Sequence, residues 1–176
     1  MQRLPEELKK YWLGKYQWAE GNFDIYIPFI ERALTGWLKD GGRLGFICSG
    51  RFMLQNYGET LRGSLPAVAT VDLIVDFRDA QLFGDATNYP AVIVATRGTA
   101  APADPVAARV FDTTRNLTEL LRDVREVLAS ARRVASHQRG KYADAFPRGA
   151  VSLTPGAWLP MPETERSVFD RIGAAG

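Results

Sequence analysis

The chain has 176 residues, with Lys+Arg 22 against Asp+Glu 20 and a formal net charge of +2, too small to argue a polyanionic partner by itself. Hydrophobic residues make up 46% and charged ones 24%, which excludes a disordered chain; no apolar run approaches the ~18 residues of a membrane span. Cys48 and His137 are the sole residues of their kinds, which excludes an intrachain disulfide framework and a Cys/His zinc site, and suits a reducing, cytoplasmic setting.

Residues 4–16 read as a helix, with Pro5 at its start, Glu6 and Glu7 at the positive end of the dipole, and Leu4, Leu8, Tyr11 and Trp12 as its apolar stripe. Gly21 and Asn22 break the chain. A second helix follows on which Tyr26, Phe29, Ile30, Ala33, Leu34 and Trp37 keep helical spacing. Asp24 would cap it, but Pro28 would then cost a hydrogen bond, so a start near Pro28 is favoured. After Gly41 and Gly42, residues 43–48 form a short buried strand, and residues 52–65 a helical stretch that closes at Pro66. Residues 71–77 alternate with period two and residues 91–96 are apolar, so both read as strands. The link from Arg78 to Pro90 is too long for a tight turn, is polar, and carries Phe83; it reads as a functional loop.

An Ala/Pro/Asp-rich connection over 98–105 leads to a strand at 106–111. Asn116 then caps a helix, with Glu119 placed for a capping box, whose apolar positions run from Leu117 to Ala131. Residues 132–150 are polar and basic, and a short helix is expected near 163–172. The pattern is α/β with three or four strands, the later two antiparallel.

Several single features carry little chemistry. The glycines at 41, 42 and 45 follow a helix and open a strand, the reverse of a phosphate-binding loop. His137 has no nucleophile or acid at family spacing. Asp72, Asp76 and Asp79 resemble a carboxylate cluster, but alternation puts Asp72 and Asp76 together on a solvated strand face. No metal ligands are expected.

The succession is more informative. Asp24, Tyr26 and Phe29 on a helix, the Gly41–Gly42 turn into a strand, and Phe83 in a loop between two late strands occur in this order. The chain thereby resembles the downstream half of the catalytic domain of N6-adenine-specific DNA methyltransferases, above all the type IIG restriction–modification and phage-exclusion methylases. The likeness is good over residues 5–97 and looser from 106 to 172, where Trp158, Leu159 and Pro160 resemble the approach to a DNA-recognition domain. It implies a partial Rossmann-like, S-adenosylmethionine-dependent methyltransferase sheet over 1–97 and a strand-and-helix connector over 98–176.

The resemblance assigns Phe29 to the adenine of S-adenosylmethionine, with Asp24 and Tyr26 opening the same motif, although core packing and capping would explain all three. It assigns Phe83 to stacking on the target adenine after extrusion from double-stranded DNA, the alternative being a local anchor. Arg78, Asn88, Arg132, Arg133, Arg139 and Lys141 are candidates for phosphate contact, or for a solvated basic surface. The family's glycine-rich cofactor turn and its Asn-Pro-Pro-Tyr/Phe segment do not occur in these residues. The expectation is therefore a fragment, inactive alone, that lacks a cofactor-binding half before it and a recognition domain after it. The alternatives are a methyltransferase fragment for another substrate and a non-enzymatic α/β interaction module.

Overall fold

The computed structural model describes residues 5–80, 82–83, 89–98, 105–112, 116–162 and 165–167. Helix α1 (Glu6–Lys15) buries no residue, in keeping with its polar composition. Helix α2 (Tyr26–Arg32) is prolonged by a π-helical turn, Ala33–Trp37. It starts before Pro28 after all, because a proline in the first turn forfeits only an N–H that has no intrahelical partner. Of the predicted stripe, Tyr26, Ile30, Ala33 and Leu34 are buried, whereas Phe29 and Trp37 are 43% and 62% exposed. The buried Glu31 carboxylate, unannounced by the sequence pattern, accepts N–H bonds from Gln17 (3.0 Å) and Trp18 (2.8 Å) and so ties the preceding loop to α2.

Strand β1 (Arg43–Ser49) runs into two 3-10 turns, Gly50–Met53 and Asn56–Gly58, then helix α3 (Glu59–Val68). Pro66 does not close this helix; it sits in the last turn, where its missing N–H costs a single bond. Strands β2 (Ala69–Asp76), β3 (Pro90–Arg97) and β4 (Val106–Val110) follow, then helix α4 (Leu117–Val134), β5 (Gln138–Arg139) and β6 (Ala143–Phe146). They form one six-stranded sheet in the order β1-β3-β2-β4-β6-β5. All pairings are antiparallel except β2 with β4. The expected antiparallel pairing of the two late strands is thus present, but the basic stretch after α4 adds two strands to the three or four foreseen.

The reason lies in α4. The side chain of Asn116 accepts the Glu119 N–H as a cap, but Glu119 turns away to accept from the Tyr142 hydroxyl at 2.9 Å. Asp123 accepts from the backbone N–H groups of Lys141, Tyr142 and Ala143 at 2.9, 2.8 and 3.1 Å, which fastens the β5–β6 turn to the helix. A Cβ on Gly140 would meet the Asp123 carboxylate oxygens at 2.6 Å, so a glycine is needed there.

Two cores result. One lies between the sheet and α2, α3 and the segment around Trp158; the other lies between the opposite sheet face and α4. A bulge between Val71 and Leu73 shifts the alternation of β2. Val71 and Ile74 therefore share the first core, and Asp72 and Asp76 fall on opposite faces, not on the one face that strict alternation requires. Asp72 turns to Thr96, whose hydroxyl donates to it at 2.6 Å, and to Arg43 at 3.7 Å. Among the described residues no helix is long and apolar enough to cross a membrane, and no cluster could hold a metal ion.

Candidate functional site

The last residues of β1 and β2 and the first of β3 meet at one end of the sheet, and the Phe83 loop springs from this junction. Its neck is closed by backbone: Gly50 N–H donates to the Tyr89 carbonyl at 2.7 Å and Phe77 N–H to the Pro90 carbonyl at 3.0 Å. A Cβ on Gly50 would come within 2.9 Å of the Met53 methyl and 3.1 Å of the Ala91 Cβ, so the neck is tightly packed at this position. Both shoulders of the loop are in left-handed backbone without being glycine: Arg78 at φ 52° and Tyr89 at φ 45°. Arg78 is held there by its N–H donating to Asp76 Oδ1 at 2.9 Å, and Tyr89 by the Arg51 guanidinium 4.8 Å above its ring. Such conformations cost roughly 1–3 kcal/mol each and collect at functional sites.

Beside the neck lies a cavity of about 670 Å³. Its charged lining comes from Asp76 and Arg109, directly opposite each other in the β2–β4 register, and from Arg51, Arg78 and Asp79. Burial, the largest influence, pushes the Asp76 carboxyl above its usual range, against the Arg78 N–H and the Arg78 and Arg109 charges that favour ionisation. Arg109 pairs with Glu165 at 3.1 Å, while its buried Nε–H has no partner among the described residues.

The remaining wall, Trp158 to Met161, belongs to a strap that returns from β6. Trp158 is fully buried, packs edge-on to Phe52 at 6.1 Å between ring centroids, and donates its backbone N–H to the Met53 carbonyl at 2.9 Å. Arg62, also buried, holds the strap: Nε donates to the Pro155 and Gly156 carbonyls at 2.8 and 2.7 Å, and an Nη to those of Gln55 at 2.9 Å and Phe52. Neither Arg62 nor Arg109 stood out in the sequence. An arginine inside a helical or strand pattern looks like any solvated one until its carbonyl partners are in place.

Phe83 is 55% exposed on the loop, outside the cavity lining, so it does not serve as a core anchor. Arg78 is at the cavity rim, whereas Asn88 lies outside the described residues. Phe29 sits on the exposed side of α2 against Trp12 at 6.1 Å. Tyr26 is buried, its hydroxyl 3.1 Å from that of Tyr57, and desolvation raises its phenol strongly. Asp24 is half-buried, its carboxyl raised by burial and partly compensated by the Ile25 N–H and the Arg51 charge.

The basic stretch does not form one surface. Arg132 and Arg133 occupy the last turn of α4, where cations suit the dipole, and Arg132 helps line a second cavity of about 470 Å³ with Arg43, Asp72 and Arg148 at the other end of the sheet. Arg139 stacks on Phe111 at 4.3 Å and lies 3.8 Å from the buried Asp144, and Lys141 lies 3.8 Å from Glu119. Of the residues expected to meet phosphate, the structure gathers only Arg78 with the loop, and adds Arg51.

Residues 1–83 match the Eco57I restriction-modification methylase family. The chain is also similar to type II methyltransferases. Type II methyltransferase M.PaeR7I of Pseudomonas aeruginosa is 40% identical over 95 residues, 53% of this chain and 16% of that protein. Type II methyltransferase M.XhoI of Xanthomonas vasicola is 36% identical over 95 residues, 53% of this chain and 17% of that one. The chain thus spans about a sixth of the length of these methylases. In fold, it superposes on the type IIG restriction endonuclease BpuSI with a TM-score of 0.57 at 14% identity, over 82% of this chain and 17% of the other. A type I restriction enzyme M protein, M.EcoKI, gives 0.50 at 16% identity, over 64% of this chain and 28% of that one.

Proposed function

We propose that this chain is the target-base side of a site-specific DNA methyltransferase that methylates adenine N6 in double-stranded DNA within a restriction–modification or phage-defence system. The observation that carries the reading is Phe83: a large aromatic ring, half exposed, on a loop whose neck is pinned by two backbone bonds and two left-handed residues. No core packing accounts for it. A base drawn out of the duplex loses its stacking, and a positioned aromatic face restores part of it, about 1–3 kcal/mol per base. The kinship to type II methyltransferases supports DNA as substrate and disfavours an unrelated interaction module.

S-adenosylmethionine would supply the methyl group. The residues present fit it in part: Phe29 offers an exposed ring and Asp24 a half-buried carboxylate at the start of α2, whereas the Tyr26 hydroxyl is engaged with Tyr57 and serves to hold that helix end. The chain's own tasks are then to carry the stacking ring on Phe83, to fix its loop through Gly50, Tyr89 and Asp76, and to offer Arg78 to the DNA backbone. The acceptors that position the amino nitrogen, an Asn-Pro-Pro-Tyr/Phe segment in this family, would come from protein outside these residues, as would the recognition domain beyond the strap. The outer edge of β1, unpaired among the described residues, is where the sheet would continue.

In the complete enzyme, replacing Phe83 with Ala should lower adenine methylation by roughly tenfold or more while leaving S-adenosylmethionine binding intact. Unchanged methylation would remove the stacking role. The 176-residue chain by itself should show no tight S-adenosylmethionine binding in calorimetry; a strong heat of binding would overturn the division of labour.

A further inference from the structure

The cavity beside the loop neck has a construction that neither the stacking of Phe83 nor the binding of a cofactor uses. Its volume, about 670 Å³, lies within the range of small-ligand sites and is ample for one nucleotide. Its apolar walls come from Met53, Leu54, Leu159 and Met161. A pair of opposed charges, Asp76 and Arg109, stands among them, with the buried Asp144 on the far side of Arg109 in the β4–β6 register. Burying such groups is costly, and the cost is offset only in part: Asp76 accepts the Arg78 N–H, and Arg109 pairs through its Nη atoms with Glu165 while its buried Nε–H has no partner among the described residues. Two exposed arginines, Arg51 and Arg78, stand on the lining, one over the Tyr89 ring and the other at the root of the Phe83 loop.

Each part matches a part of a nucleotide. Arginines at the rim suit a phosphate, apolar and sulfur-containing walls suit a base, and a carboxylate accepts from an exocyclic amino group. Arg78 is the first shoulder of the loop that carries Phe83. We propose that this cavity is a second nucleotide-binding pocket, which takes a neighbour of the target base with its phosphate on Arg51 and Arg78 and its amino-bearing base (adenine, cytosine or guanine) against Asp76. This rests on the DNA-methyltransferase reading and adds a contact for sequence or strand discrimination within the methylase sheet itself.

The test is a titration of the isotopically labelled chain with dAMP, dCMP, dGMP and dTMP, followed by backbone amide shifts in NMR, with inorganic phosphate as a control. The expected result is movement of the Gly50, Arg51, Leu159 and Met161 amides with the three amino-bearing nucleotides, and weaker binding of dTMP. Arg51→Glu should weaken all of them by roughly tenfold, since a charge-assisted bond to phosphate is lost. Arg78→Gly should weaken them similarly while relaxing the left-handed backbone, so that loss of binding is not loss of fold. Asp76→Asn, which keeps an Oδ1 acceptor for the Arg78 N–H, should reduce the preference over dTMP.

Shifts confined to Arg51 and Arg78 and reproduced by phosphate alone would overturn the pocket in favour of a plain anion site. Absence of shifts with every nucleotide, or binding indifferent to Arg51→Glu and Arg78→Gly, would overturn it outright. These outcomes leave the methyltransferase reading untouched, because that reading stands on methylation by the complete enzyme and its loss in Phe83→Ala.

Discussion

The two ends of the chain differ in the large aromatic rings they leave exposed. The methylase-matching region buries Trp18, Phe23, Phe52 and Phe77 but leaves Phe29, Trp37 and Phe83 43%, 62% and 55% exposed; in the later region Phe146 and Trp158 are 1% and 0% exposed, and Phe111 is 37% exposed. Exposed rings leave a face free for something else to meet. Buried rings do the reverse: Trp158 brings the strap onto Phe52 and Met53 and thereby walls the cavity whose rim carries the Phe83 loop. The later region is not a passive tail. It completes the sheet with β4, β5 and β6 and closes the site that the earlier region opens.

This contrast is broken most severely at the strap. Replacing Trp158 with Ala should destabilise the fold by about 3–5 kcal/mol, since a fully buried indole leaves a cavity. Replacing Arg62 with Leu should cost about 2–4 kcal/mol, because the carbonyls of Gln55, Pro155 and Gly156 lose their donor. Urea denaturation measures both. The double variant should cost less than the two added together, as both act through one strap. Strict additivity would mean that Arg62 holds the 3-10 turns and not the strap. On the exposed side, Phe83→Ala and Trp37→Ser should each stay within about 0.5 kcal/mol of the parent. A larger loss would place these rings in the fold's own packing.

Helices and the three longer strands were legible because each carries a local pattern: helical spacing over α2 and α4, period two in β2, an apolar run in β3. What was not legible depends on pairs distant in sequence. The β5–β6 hairpin is too short to show a period and exists because Asp123, on α4, gathers three N–H groups 18 to 20 residues on. The bulge at Val71–Leu73 inverts the face of Asp72 without any glycine or proline to signal it. In the candidate site, Phe83 stands out in the sequence because a loop aromatic lacks a periodic reason. Arg51, Arg62 and Arg109 could not, since a buried or rim arginine differs from a surface one only in its partners. In the Arg132–Lys141 stretch the sequence likewise does not show the partners: Arg132 and Arg133 end α4, Arg139 lies near Asp144 and Lys141 near Glu119.

The earlier region also holds the chain's cysteine away from chemistry. Desolvation first, and Asp24 second, push the Cys48 thiol up to about 12, so it is neutral at pH 8 and should react with iodoacetamide far more slowly than a free thiol. Denaturation should restore the ordinary rate. The same shift stabilises the fold below the thiol's unfolded pKa near 9 and is lost as pH rises through the folded value. Rapid alkylation of the native chain would show that β1 opens at its unpaired edge.

The smallest effect is the most specific to the site. Asp76 has a carboxyl pKa raised above 3.8 by burial in the cavity lining, so the folded state holds the proton more tightly than the unfolded chain. Its contribution is therefore fully favourable below the unfolded value and is lost as pH rises through the folded one. Asp24 is shifted in the same direction, so the pH profile of the parent protein alone does not single out either group. The difference between parent and Asp76→Asn does: the variant should gain about 2 °C in Tm at pH 7 and little or nothing at pH 3.5. An equal gain at both pH values would mean that the amide improves packing and that the carboxylate is not under strain. A loss at pH 7 would mean that Arg78 and Arg109 stabilise the ionised form by more than burial disfavours it, and the cavity would then present a plain ion pair to whatever enters it.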